Sequence, residues 1–225
     1  QKVKFFLPSS IAVYGINSVQ EKKNAGAIIE TQFVSPQTMY GCNKLYCEQL
    51  GTYFSNHYQQ LSATYSPGLL DFRSIRFPGL ISAITMPTGG TSDFIPEMLH
   101  NAVQGNLYNS FVDSETGIPF MTMPDGIKAI LDLMDAPQEK LSRNVYHITA
   151  FAPTAGEFKS KIENYFSKAK IGYKINEKRQ NIVNSWPVDV DDSHARNDWN
   201  WTPNYDFETA LEKYLIPGVK EFYNE

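Results

Sequence analysis

The chain opens on two apolar stretches, Val3–Leu7 and Ile11–Tyr14, whose hydrophobic residues fall on both faces of an extended segment. Strands that are apolar on both faces belong inside parallel sheets, covered above and below by helices. This opening therefore reads as a buried strand and its exit. Gly15 to Ser35 is polar with short apolar patches, as in a surface loop. "SPQTMYGCNKLYCEQLGTYFSNHY" follows, with Pro36 near its start and straight-chain and aromatic residues after it, and predicts a helix to about Tyr58. "QQLSATYSPGLL" reads as a loop, and "DFRSIRFPGLIS" as a strand that stops at Pro78-Gly79. Strand, loop, helix, strand is the βαβ order of a parallel sheet.

Downstream, "MPTGGTSD" is a turn cluster. It offers Thr91, Ser92 or Asp93 as cap for a helix over "FIPEMLHNAV". "IPFMTM" reads as a short strand. A helix starting at Pro124-Asp125 puts Ile127, Ile130, Leu131 and Met134 on one apolar stripe. Asn144–Thr149 and Ile171–Ile175 read as strands. Between them Thr154-Ala155-Gly156-Glu157 has the spacing of a capping box, opening a helix to about Lys168. "DDSHARNDWNW" predicts a short helix capped by Asp192 or Ser193, and a last helix from about Asp206 buries Phe207, Leu211 and Leu215. There are no internal repeats. The fold class is α/β: part of a doubly wound, Rossmann-like parallel sheet followed by a small mixed α/β lobe.

Composition adds limits. Of 225 residues, 42% are hydrophobic and 20% charged, with a net charge of −4. This is an ordinary globular balance, and it implies no general affinity for nucleic acid or anionic membrane. No run of 18 apolar residues exists to span a bilayer. The start, "QKVKFFLPSSIAVYG", has the lysines of a signal peptide, but Pro8-Ser9-Ser10 breaks its apolar run after three residues. Cys42 and Cys47 sit on different faces of the proposed helix and fit no zinc pattern. They read as free thiols in a reducing, intracellular compartment. His57, His100, His147 and His194 show no ligand spacing, so no metal is assigned. The chain does not begin with Met and opens directly in a strand, as the C-terminal part of a longer chain would.

The candidate chemistry centres on Tyr40-Gly41-Cys42-Asn43-Lys44. Residues four apart on a helix share a face, so Tyr40 and Lys44 point the same way. A nearby ammonium favours the phenolate, and such a tyrosine can take a proton from an alcohol. With 13 tyrosines in the chain, roughly one Tyr-x-x-x-Lys arises by chance. The plainer reading is a half-buried Tyr beside a solvated Lys. Two further pieces bear on the choice. Ser9 and Ser10 lie at the C-terminal end of the first strand, and Pro78-Gly79 at the end of the next. Ligands of open α/β sheets bind at those ends. A glycine at such an end permits close approach of a ligand; alone, Ser-Ser reads as a turn bonding its own backbone, and Pro-Gly as just a turn. Adjacent parallel strands bring residues 10, 40, 44 and 79 to one rim.

On Ser10, Tyr40, Lys44 and the Pro-Gly after the following strand, in that order, the chain resembles the extended short-chain dehydrogenase/reductase family. The resemblance implies a Ser–Tyr–Lys catalytic set, with Tyr40 and Lys44 also holding NAD and Pro78, Gly79, Leu80 and Ile81 forming the loop beside the nicotinamide. Within the family, "PTGGTSD", "GLISA" at 79–83, Ser185-Trp186-Pro187 and "DDSHARNDWNW" are similar to the short-chain type of L-threonine 3-dehydrogenase. That branch implies L-threonine as the small-molecule substrate, with Ser10, Thr91 and Trp186 contacting it. Trp186 reads equally as a core residue of the C-terminal lobe. The family also implies a homodimer, a dinucleotide-binding segment at 1–83 and a largely substrate-binding lobe at 84–225, and a cytoplasmic or mitochondrial setting. Nucleotide-sugar epimerases and dehydratases share the catalytic set and form the alternative. A non-catalytic fragment or interaction module is the alternative of another class. Two departures stand out. The family's G-x-G-x-x-G fingerprint and its downstream acidic residue do not occur, and the link at 59–69 is longer than usual.

Overall fold

The structure, a computed structural model, describes residues 3–65 and 70–224. Its main sheet is parallel, in the order β1-β3-β7, with β1 at Val3–Ser10, β3 at Leu70–Phe77 and β7 at Val145–His147. In register, Ser9 faces Arg76 and Ser10 faces Phe77. The strand–helix–strand reading holds. α2 (Met39–Asn56) packs on β1 and β3, and Thr38 caps it by accepting from Gly41 N. Two glycines set how closely α2 lies. A Cβ on Gly51 would stand 2.2 Å from the Phe72 ring, and one on Gly41 would stand 2.0 Å from the Ala12 carbonyl oxygen. Thus the helix carrying Tyr40 rests directly on the chain leaving β1.

β1 departs from the buried strand expected. It pairs with β3 on one side alone among the described residues, and Val3 and Phe5 are more than half exposed. The exit is as expected: Ile11–Val13 form a buried 3-10 turn. The polar stretch after it is not all loop. It holds α1 (Val19–Ala25), capped by Ser18, and β2 (Ala27–Ile28), which pairs in parallel with β9 (Asp189–Val190). Local capping makes the first, and a partner some 160 residues away makes the second, so neither shows in hydrophobic periodicity. The predicted strand at 71–82 divides at Pro78, which has no amide hydrogen to donate, into β3 and β4 (Gly79–Ile81). β4 leaves β3 to pair with β6 (Phe120–Thr122). Of the long link at 59–69, the described residues to Tyr65 are exposed turns, and 66–69 lie outside the described residues.

α3 (Phe94–Val103) precedes β5 (Leu107–Ser110), which pairs with β8 (Lys170–Tyr173). α4 (Met123–Asp135) corrects the predicted stripe. Ile127 and Leu131 are exposed, while Gly126, Ala129 and Leu133 are buried. Small residues there let the helix lie close against Phe77 and Leu80, and Asp125 is buried because it accepts from Asn204 N and Thr122 Oγ1. The Thr154–Glu157 capping box opens α5 (Ala155–Tyr165). α6 (Glu177–Asn184), capped by Asn176, leads to Trp186. α7 (Ser193–Trp199) follows Asp192, which does not cap it but bonds Arg196 and Trp201 Nε1. An Asp206–Thr209 capping box starts α8 (Phe207–Ala210). A π-helical turn, Leu211–Leu215, carries it into α9 (Ile216–Tyr223), with Leu211 and Leu215 buried as expected and Phe207 half-buried. One hydrophobic core gathers Phe94, Phe120, Phe158, Leu211 and the 11–14 turn; another gathers Ile75, Met121, Tyr146 and Trp201.

Candidate active site

The C-terminal ends of β1 and β3 and the start of α2 open into a cleft of about 570 Å³. That is within the usual range for small-molecule sites. Ser10, Tyr40, Lys44, Pro78, Gly79, Leu80, Thr91 and Trp186 all line it. Ser10 uses its hydroxyl oxygen to accept from Ala12 N at 3.1 Å. The turn reading of this serine is thus realised, and its hydroxyl hydrogen stays available to a ligand oxygen. Lys44 Nζ lies 5.5 Å from the centre of the Tyr40 ring and donates to the Pro8 carbonyl oxygen at 2.6 Å. An ammonium has three hydrogens to donate, so one hydrogen bond fixes the head and two remain. Tyr40 is just over half exposed, its ring standing at the cleft.

Other expected residues need correction or refinement. Ile81 does not line the cleft. It is fully buried in the main core, because strand alternation turns it away from the face that Leu80 presents. Gly79 lines the cleft, but the reason for a glycine is packing. A Cβ there would meet the Phe120 ring at 2.3 Å. Thr91 sits on a loop that is tied down rather than free. Asp93 accepts from Thr88 N and Gly90 N, and Arg179 donates to the carbonyl oxygens of Gly89 and Gly90 while lying against the Phe111 ring. Trp186 fits both readings offered for it, since it is buried in the core and also borders the cleft.

Sequence reasoning missed the polar group beneath this rim. Glu48, fully buried one turn beyond Lys44, accepts from Ser9 Oγ and from Arg76 Nε (3.0 Å) and Nη2 (2.7 Å). Arg76 Nη1 in turn donates to Tyr14 OH (3.0 Å) and the Glu30 carbonyl (2.6 Å). His147 Nε2–H donates to the Asp191 carbonyl, so in the neutral imidazole Nδ1 accepts, and Tyr14, which itself receives from Arg76, donates to it at 2.8 Å. Burial pushes the Tyr14 phenol up to about 12, against the lowering by Arg76. Burial likewise lowers His147, against Glu30, and so keeps the imidazole neutral. For Arg76, burial opposes the charge, but the bonds to Glu48 outweigh it and the guanidinium is held more strongly protonated. The one cue in the sequence was a carboxylate four residues past Lys44 on the Tyr40 face. His100 and His147 are buried and hydrogen-bonded. Among the described residues no group of His, Cys, Asp or Glu could hold a metal ion, and both cysteines are free. No helix among them is long and apolar enough to cross a membrane.

Parallel strand ends, a crossover helix and a cleft at their rim define a Rossmann-like α/β protein. Family comparison is specific: the model for the NAD dependent epimerase/dehydratase family matches residues 1–149, and the chain belongs to that family. It is 33% identical over 213 residues to the mitochondrial L-threonine 3-dehydrogenase of Bos taurus, covering 95% of this chain and 53% of that protein. It is 36% identical over 218 residues to an uncharacterized epimerase/dehydratase of Staphylococcus aureus, covering 96% of this chain and 63% of that one. In structure it is similar to the L-threonine dehydrogenase of Phytophthora infestans, with a TM-score of 0.82 and 34% identity over 96% of this chain and 65% of that one. The chain therefore spans about half to two thirds of the length of these relatives.

Proposed function

We propose that this chain carries the catalytic and substrate-binding part of an NAD-dependent oxidoreductase that converts L-threonine to 2-amino-3-oxobutyrate. One observation carries the reading: Ser10, Tyr40 and Lys44 share a single cleft with Thr91 and Trp186, and threonine dehydrogenases are similar to the chain over nearly its whole length. Tyr40 takes the proton of the threonine hydroxyl as hydride leaves the β-carbon. Ser10 donates its free hydroxyl hydrogen to the reacting oxygen. Lys44, fixed by Pro8, offers its remaining donors to the nicotinamide ribose. Bound NAD supplies the hydride acceptor. The rim formed by Pro78, Gly79 and Leu80 is where the resemblance puts the nicotinamide ring; the backbone there borders the cleft, while burial turns Ile81 away from it. In this reading residues 1–83 carry the catalytic set and 84–225 most of the substrate side.

The assembly we propose is a homodimer. Met39, Tyr46, Leu50 and Tyr53 form an exposed apolar stripe along α2, and contiguous exposed apolar surface of this kind marks an interaction face. Free thiols and the bovine relative's mitochondrial name favour a reducing intracellular compartment. The second reading, a nucleotide-sugar epimerase or dehydratase, is favoured by the Staphylococcus relative. In the full-length protein, NADH formation from threonine should fall by about 10²–10⁴-fold in Tyr40→Phe, the usual worth of a general base, with the fold intact. Full activity in that variant would exclude Tyr40 from the chemistry. Turnover of nucleotide sugars without net NADH would favour the second reading.

A further inference from the structure

Three residues of α2, one turn apart, reach the end of β1 in succession. Tyr40 faces the cleft, Lys44 holds the Pro8 carbonyl, and Glu48 holds the Ser9 hydroxyl. Ser9 and Arg76 are register partners on β1 and β3, so their side chains leave the same face of the sheet, the face covered by α2. Glu48 accepts from both. A single carboxylate therefore ties two strands and one helix together at the residue preceding Ser10. We propose that Glu48, Ser9 and Arg76 form a buried brace that sets Ser10 against Tyr40 and Lys44, making Ser9 and Glu48 positioning residues for the reaction proposed above, on which this inference rests.

The energetics favour positioning over stability as the purpose. Glu48 is fully buried and Arg76 nearly so. Desolvating two charges consumes most of what their attraction returns, and buried ion pairs are often no better for stability than apolar residues of similar volume. What such a pair does supply is direction. Arg76 approaches Glu48 through two nitrogens, a planar arrangement that allows the carboxylate little rotation. The oxygen facing Ser9 is therefore fixed in place. Ser10 has no comparable anchor. Among the described residues its own hydroxyl is engaged only with Ala12 N, within its own turn, and its place relative to α2 is set by its neighbours. Arg76 extends the brace to Tyr14 and, through it, to His147 on β7, so the strand end is referred to the whole width of the sheet.

Ser9→Ala tests this without removing the buried ion pair, because Glu48 keeps its bonds from Arg76. In the full-length protein with NAD and L-threonine, we expect kcat to fall about tenfold, KM for threonine to stay within about twofold, and the melting temperature to move by only a few degrees, as misplacement by a fraction of an ångström would give. An unchanged kcat would overturn the brace. So would a loss of activity that merely tracks loss of folded protein. If the wild type makes no NADH from threonine, the functional reading fails and the brace is judged by crystal structures of the wild type and Ser9→Ala. A displaced Ser10 hydroxyl relative to Tyr40 supports it, and superposable sites overturn it.

Discussion

Gly41→Ala separates local preference from the geometry of the site. Alanine is the better helix former, by up to about 1 kcal/mol at an interior position, so α2 considered alone would gain from the change. The tertiary structure reverses that sign. The new Cβ would stand 2.0 Å from the Ala12 carbonyl oxygen and 2.8 Å from Pro36 Cβ, where contacts under 3.0 Å essentially never occur. Ala12 is fixed in the buried 3-10 turn that follows Ser10, so relief requires α2 to back away by about 1 Å at least. Overpacking of this kind costs about 1–3 kcal/mol. Set against the helix gain, a net loss of up to about 2 kcal/mol remains, or a fall in Tm of up to about 8 °C for a chain of this size. The retreat carries Tyr40 with it, and a 1 Å misplacement is worth about 10²-fold in rate. Thermal melting and initial rates of NADH formation on the full-length protein measure both. A variant that melts at or above the wild type and keeps its kcat would refute the claim that close seating of α2 on the β1 exit builds the site.

Two further outcomes follow from other parts of the molecule. Lys22 is buried on α1, donates to the Val183 carbonyl and has its pKa lowered by burial to about 8, with Asp113 opposing. A base lowered on folding contributes stability that is fully present above its ordinary value of 10.5 and is lost as pH falls towards about 8. The stability difference between wild type and Lys22→Met, from urea denaturation, should shift by about 1–2 kcal/mol in favour of the wild type between about pH 7.5 and about 9.5. A constant difference would mean that the ammonium is not desolvated. Leu50→Glu, placing a charge in the exposed stripe of α2, should convert a dimer to monomer by light scattering, and a dimer of undiminished affinity would place the interface elsewhere.

What could be read in advance was local. The Tyr40–Lys44 spacing, the Thr154–Glu157 capping box and the Pro78 break depend on neighbours within a turn, and each appears where short-range rules put it. The rim followed from βαβ order alone, because parallel strands present their ends on one side. Hidden features depend on partners far along the chain. β2 is two residues long and exists because β9 pairs with it. α6 has little apolar pattern in "EKRQNIVN" and is held instead by its Asn176 cap and by buried Gln180, which reaches Asp113 and Thr116. On α4, larger residues suggested a stripe through Ile127 and Leu131, whereas the core selects the face on which Gly126 and Ala129 allow close approach. Glu48 illustrates the same limit in the site itself. Its spacing after Lys44 places it on the Tyr40 face, but its burial is explained only by Arg76, 28 residues further along the chain.

The most direct measurement uses L-threonine carrying deuterium at the β-carbon, with the full-length wild type and Tyr40→Phe. If Tyr40 removes the hydroxyl proton while the β-hydrogen leaves as hydride, the NADH produced by the wild type carries the deuterium, and Tyr40→Phe produces almost none. NADH that lacks the label, or labelled NADH at an undiminished rate from Tyr40→Phe, would contradict the account.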